Sequence, residues 1–161
     1  MQVELAPDEG GAGDTPETVR APALAGFGLP SPDELAALAM RYQIAQKLHA
    51  STDPHDLPTW VNDRPRDIVD LVLLRELVTT EKSPTTPEIA RATKAVFDAR
   101  AADATSLGRT PRFWPATVVA HRHWPADYAK TAADGGVTLS FEDAVDVVND
   151  WIAEIAAASA N

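Results

Sequence analysis

The sequence predicts a mainly α protein, a helical bundle with one residual β-strand at its N-terminus. Five stretches place apolar residues at helical spacing. Only the first residues, Met1-Gln2-Val3-Glu4-Leu5, alternate apolar and polar as a half-buried strand does. No convincing partner strand follows. The nearest candidate, Thr117–Ala120, is short, and a single strand needs a sheet to join.

Residues 8–30, rich in Gly, Pro, Ala and acids, read as a loop or extended linker. Ser31-Pro32-Asp33-Glu34 has the form of a helix start, with Ser31 as N-cap and Pro32 at the first helical position. The first helix is expected to run to Ala50, with Leu35, Leu38, Tyr42, Ala45 and His49 on one face, widened by Ile44 and Leu48. A Pro- and Asp-rich loop follows over 51–62. The second helix begins near Pro65 and runs to about Thr79. Its Ile68–Leu74 run is apolar almost all round, which predicts a central position. A third helix is expected over Pro87–Ala102 with Ile89, Ala92, Val96 and Ala99 inward, then a loop over 105–115. Trp124–Ala133 reads as a short helix stopped by Gly135-Gly136. Ser140 with Asp143 opens the last helix through Val145, Val148, Ile152 and Ile155.

At 161 residues the chain can form one domain with a real core, or one and a half smaller ones. It has no cysteine, which excludes disulfides, thiolate metal sites and a cysteine nucleophile, and points to the cytoplasm. No apolar run approaches the roughly 18 residues that cross a bilayer, so no membrane association is expected. The start is acidic rather than basic and then apolar, unlike a secretory signal. A net charge of −10 makes the chain as a whole a poor general binder of phosphate backbones. Arg109, Arg112, Arg122 and His123 cluster locally and read as a solvated loop. His121-x-His123 lacks a third ligand and reads as two polar loop residues.

Three residues stand out against this background. Lys47 shares a helical row with Met40, Gln43 and Ile44, where a lysine either snorkels to water or points at a fixed anion. Asp67 and Asp70, spaced i, i+3, lie on one face in line with Leu71 and Leu74. Asp67 is explained by the helix dipole. Asp70 lies a turn inside among large aliphatics and needs a partner, with Lys47, Arg64, Arg66 and Arg75 as candidates.

The order Gln46-Lys47-Leu48-His49-Ala50, then Asn62-Asp63-Arg64, then Arg66-Asp67-Ile68-Val69-Asp70-Leu71 resembles the AbiEii/AbiGii family of toxin-type nucleotidyltransferases. That family has a Lys-Leu/Ile-His-Ala helix, an Asn-x-Arg lead-in and a Lys/Arg-Asp-x-x-Asp-Leu helix. Phe27-Gly28-Leu29 resembles the segment before the first of these. The likeness runs from the first residues to about Leu77. It implies that Lys47, Asp67 and Asp70 are active-site positions. Lys47 would neutralise a triphosphate, with Arg66 beside it in substrate binding. Asp67 would orient a base or position the acceptor, and Asp70 would support it. His49 belongs to the signature as a packing and hydrogen-bonding residue. Val3-Glu4-Leu5 matches the apolar-acid-apolar strand that carries a third acid in similar polymerase-β-like enzymes, which implies Glu4 as a metal-side carboxylate.

The family's catalytic strand opens with Gly-Ser and then Asp-x-Asp, whose carboxylates hold Mg²⁺. This sequence has neither. The resemblance therefore implies the C-terminal portion of such an enzyme, α+β when complete, truncated or completed by a separate N-terminal lobe. Residues 1–30 would be the residual strand and linker of the nucleotidyltransferase lobe, and 31–161 the C-terminal helical domain. The intact enzyme would use Mg²⁺ and a nucleoside triphosphate to move a nucleoside monophosphate onto an acceptor hydroxyl. RNA (tRNA among its forms) is the acceptor implied, with an antitoxin partner in toxin–antitoxin or phage-defence biology. The chain alone would be inactive. The alternative is a non-catalytic helical module that binds a partner.

Overall fold

The computed structural model describes residues 10–14, 16–21, 28, 32–54 and 60–159. Its order is β1 (Glu17–Arg20), β2 (Glu34–Ala37), α1 (Met40–Ser51), α2 (Pro65–Glu81), α3 (Thr86–Ser106), α4 (Trp124–Gly135) and α5 (Phe141–Ala158). The mainly helical class expected from the sequence is what the chain adopts, with a small sheet. The strand expected at Met1–Leu5 lies outside the described residues, as does Ser31.

The sheet comes from elsewhere. β1 and β2 pair antiparallel, Glu17 opposite Ala37 and Arg20 opposite Glu34. This corrects two expectations: part of the linker is a strand, and Glu34–Ala37 is extended rather than the first turn of a helix. The cap-like Pro-Asp-Glu signal is local, and pairing with a segment 14 or more residues upstream overrides it. Helix α1 starts instead at Met40, whose backbone N–H donates to the Glu17 carboxylate at 3.1 Å. One acid of β1 thus satisfies an end group of α1. Ahead of β1, Gly10 sits at φ +63°, where a Cβ would lie 2.9 Å from the Ala95 backbone. Tyr42 Oη donates to the Gly10 carbonyl, so this turn docks on α1 and α3.

The five helices enclose one main core. Ile44 and Leu48 of α1, Ile68 and Leu71 of α2, Ile89 of α3, Trp124 of α4, and Val148 and Ile155 of α5 are all fully buried within it. A satellite of Ala45, Ala92 and Val96, covered by Tyr42, joins α1 to α3. Helix starts follow their local chemistry. Thr85 and Glu88 form a reciprocal capping box on α3, and Ser140 Oγ accepts from the Asp143 N–H on α5. Helix α2 is less enclosed than its composition predicts: Ile68, Val69 and Leu71 are buried, but Leu73 and Leu77 face solvent. Thr117–Ala120 is not a strand. Val118 is nevertheless buried, and the Asn149 side-chain amide bonds both its N–H (2.9 Å) and its C=O (3.1 Å). One amide does for Val118 what a neighbouring strand would do.

The connection from α1 to α2 is held by Asn62, which is 1% exposed. Its Nδ2 donates to the carbonyls of Ala50 (3.2 Å) and Asp53 (2.7 Å). Its backbone carbonyl accepts from Trp124 Nε1 (2.8 Å) and His123 Nε2 (2.9 Å). Asn62→Ala should therefore lower unfolding free energy by about 1–3 kcal/mol, the cost of stranding buried carbonyls. Urea denaturation against the parent chain measures this.

Candidate active site

Lys47 lies in the second half of α1 and reaches toward the first two turns of α2. Its Nζ is 3.1 Å from Asp67 Oδ1 and 2.5 Å from Asp70 Oδ2. The helical spacing of the two acids turns both carboxylates to the same side. Lys47 thus points at fixed anions rather than snorkelling away, and it is the partner that Asp70 requires. The Asp67 side chain is 11% exposed, whereas Lys47 and Asp70 are about a third exposed, at 28% and 34%. Arg64 Nη1 approaches the other Asp67 oxygen at 4.0 Å. Arg75, another candidate partner, instead ties α2 to α5 through Glu154 at 2.8 Å.

Burial alone would lower the Lys47 pKa. The hydrogen bond to Asp70 and the charge of Asp67 outweigh it, so the ammonium titrates above its ordinary value. Lys47 is charged at neutral pH.

Beside the cluster opens a cavity of about 500 Å³ lined by Gln43, Gln46, Lys47, Arg64, Asp67 and Arg100, among others. On its other side Lys47 and Asp70 border a smaller hollow of about 310 Å³ with Leu73, Leu74 and Leu77. Arg66 is exposed and lines an adjoining cavity of about 410 Å³ with Arg64, Asp67, Asp127, Lys130 and Asp134. The structure therefore brings Lys47, Asp67 and Asp70 together, with Arg66 on a neighbouring cavity that shares Arg64 and Asp67 with the first. Glu4 lies outside the described residues.

Sequence reasoning missed Arg100. It follows the buried Val96 and Phe97 of α3 by four and three positions, the same cue that singled out Lys47. Arg112, expected in a solvated loop, is partly buried. Its Nε pairs with Asp53 at 3.1 Å, its Nη1 donates to Thr52 Oγ1, and its Nη2 donates to the His49 carbonyl at 2.9 Å. A cation at the C-terminal end of α1 suits the helix dipole. The His49 ring packs edge-on against Phe97, its Nδ1 accepting from Arg100 and Arg112 at 3.0 Å. Burial and the charges of Arg112 and Arg100 push its pKa down to about 3. His49 is thus a packing and hydrogen-bonding residue, fixed in the neutral state. His121 and His123 stack at 5.8 Å beside Trp124, as polar residues of the connection into α4.

A protein-family model described as "Nucleotidyl transferase AbiEii toxin, Type IV TA system" matches residues 2–147. The chain belongs to this family. The matched span holds the whole Lys47 cluster, helices α1 to α4 and the start of α5. No curated protein matches the sequence.

Enzymes of this AbiEii nucleotidyl transferase kind work with a nucleoside triphosphate and a divalent metal. The Lys47 cluster does not fit the metal: both carboxylates already converge on an ammonium, at the place a cation would take. Among the described residues, no group of three or more His, Cys, Asp or Glu side chains could hold a metal ion. No helix of the described chain is long and apolar enough to cross a membrane.

The depressed His49 pKa has a pH signature. Unfolded, the imidazole takes a proton below its ordinary value of 6.5, whereas folded it does so only near 3. The unfolded state binds more protons between those values. Stability should therefore fall as pH drops from 6.5 toward 3, with a His49 contribution of at most ~1.4 kcal/mol per pH unit. His49→Gln should flatten that part of the curve. Unfolding free energy measured by denaturant at several pH values checks the difference in slope.

Proposed function

We propose that this chain supplies the phosphate-binding and acceptor-positioning face of an AbiEii nucleotidyl transfer centre. The observation that carries this reading is the Lys47 ammonium. It is held between Asp67 and Asp70 at the wall of a cavity that also receives Arg64 and Arg100. In the reaction an acceptor hydroxyl attacks the α-phosphorus of a nucleoside triphosphate. A new O–P bond forms, the bond to the β-phosphate breaks, and pyrophosphate leaves. Lys47 acts as a point charge on the triphosphate, aided by Arg64 and Arg100, with Arg66 guiding charge from the rim. Asp67 positions the group that takes the hydroxyl proton, and Asp70 holds Lys47 in place. The acceptor is RNA, tRNA included.

The metal ligands come from outside the described residues. Glu4 is one, and a Gly-Ser…Asp-x-Asp strand of an N-terminal lobe, truncated from this chain or supplied by another polypeptide, provides the others. Residues 1–30 belong with that lobe and 31–161 form the helical domain. The 161-residue chain alone does not turn over. Its biology is that of a cytoplasmic toxin restrained by an antitoxin, with phage defence as the setting.

One observation favours a second reading. Lys47 is already paired with two carboxylates, as an internal ion cluster of a non-catalytic partner-binding module would be. Lys47→Met separates the two. On the catalytic reading, binding of Mg²⁺-nucleoside triphosphate, followed by calorimetry, weakens by at least about tenfold, the equivalent of one good charge-assisted contact. The control Lys94→Met, which removes a surface pair with Asp98, leaves binding alone. Because Lys47→Met takes the cation from Asp67 and Asp70, some loss of stability accompanies it on either reading, and nucleotide binding decides between them. Unchanged nucleotide binding together with a marked loss of stability would establish the structural cluster instead.

A further inference from the structure

Among the described residues, the large apolar side chains that stand exposed lie in strands and loops, apart from Leu73 and Leu77 of α2, at 37% and 41%. These two are spaced i, i+4 and so share one face. With Leu74, Gln43, Lys47 and Asp70 they line a hollow of about 310 Å³. Single exposed leucines are ordinary on a protein surface. A pair in register, beside a concavity and next to an ion cluster, marks a contact.

The chain has a segment of matching form within reach. Met1-Gln2-Val3-Glu4-Leu5 lies outside the described residues, and its Val3 and Leu5 alternate with polar residues. In extended backbone two such side chains stand on one side, about 6.6 Å apart at roughly 3.3 Å per residue. Leu73 and Leu77 lie about 6 Å apart along their helix, at roughly 1.5 Å per residue. The two pairs match in spacing. The tether is also long enough. Gly10 is fixed beside α1: its carbonyl accepts from the Tyr42 hydroxyl at 3.2 Å, and it lies against the Ala95 backbone. Tyr42 precedes Gln43, which lines the hollow. The steps from Leu5 to Gly10 span up to about 17 Å, more than the roughly 10 Å width of a helix.

We infer that the segment Met1–Leu5 crosses α1 and docks in this hollow, with Val3 and Leu5 against Leu73, Leu74 and Leu77. Removing two aliphatic side chains and three leucines from water is the favourable contribution. The short tether to Gly10 raises the effective concentration of the segment at its seat. Docking closes the apolar side of the Lys47 cluster to solvent. A ligand then reaches the ammonium through the polar cavity of about 500 Å³. The docking stands apart from the transfer reading, because it concerns the side of Lys47 turned away from that cavity.

The chain has no cysteine, so one introduced thiol reports on the hollow. In the full 161-residue chain, Leu77→Cys should react with a fluorescent maleimide at least about tenfold faster once Val3→Asp and Leu5→Asp are added, because two carboxylates do not stay seated on leucines. Leu73→Cys repeats the test at a second position. Leu107→Cys, 65% exposed after α3, should react at one rate in both backgrounds. The near-ultraviolet circular dichroism of the buried Trp124 and Trp151 should stay unchanged, which separates release of the segment from unfolding. Equal rates at both leucine positions, with and without the two aspartates, overturn the inference. Protection that fades on dilution also overturns it, by assigning the cover to a second copy. So does acceleration by Phe27→Asp and not by the Val3 and Leu5 pair, which assigns the hollow to the stretch between β1 and β2. Nucleotide binding that depends on Lys47 survives each of these outcomes, and its failure leaves the docking result intact.

Discussion

The carbonyl groups at the C-terminal end of α1 are the constraint on which the rest of the structure depends. A helix leaves its last carbonyls without internal partners, and here they lie under other elements rather than in water. Thr52, Asn62 and Arg112 reach this end from three separate stretches of chain. Asn62 sets the path into α2 and takes hydrogen bonds from Trp124, which anchors α4. Arg112 brings in the loop after α3. The register between α1 and α2 follows, and with it the distance from Lys47 to Asp67 and Asp70.

The ion cluster is thus a result of the fold as much as a support for it. Lys47 and Asp70 are partly open to water, so their mutual attraction is screened and its share of stability is modest. Asp67 is more deeply placed, and a single buried carboxylate is costly unless a cation faces it. The arrangement keeps one ammonium in a defined position beside a cavity. That is a geometric service, and it suits the proposed role of presenting charge to phosphate. The exposed leucines of α2 on the other side of Lys47 show that this part of the bundle is less closed than the core beneath it.

Much of this was legible from the chain. Four of the five helices stand where apolar spacing and caps put them, and the Lys47, Asp67 and Asp70 positions were marked by charge inside apolar rows. The misreadings share a cause. Glu34–Ala37 carries a cap-like lead-in, but its backbone pairs with Glu17–Arg20, and long-range pairing leaves no local pattern. Thr117–Ala120, too short to convince as a strand, is indeed not one, and the hydrogen bonds of Val118 go to one asparagine on α5. Arg112 looked like a loop residue because its partners lie 59 to 63 positions earlier. Membership of the AbiEii nucleotidyl transferase toxin family was visible in the ordered motifs around Lys47, and the family match extends well past them. Glu4 falls outside the described residues, and Arg66 lines a cavity that shares Arg64 and Asp67 with the one at Lys47.

His49 sits two residues after Lys47 on α1, between two guanidinium groups that disfavour a third positive charge. Histidine is the side chain that normally ferries protons near neutrality. Here that capacity has been removed by its neighbours. The imidazole serves instead as a fixed acceptor that pins Arg100 and Arg112 in place.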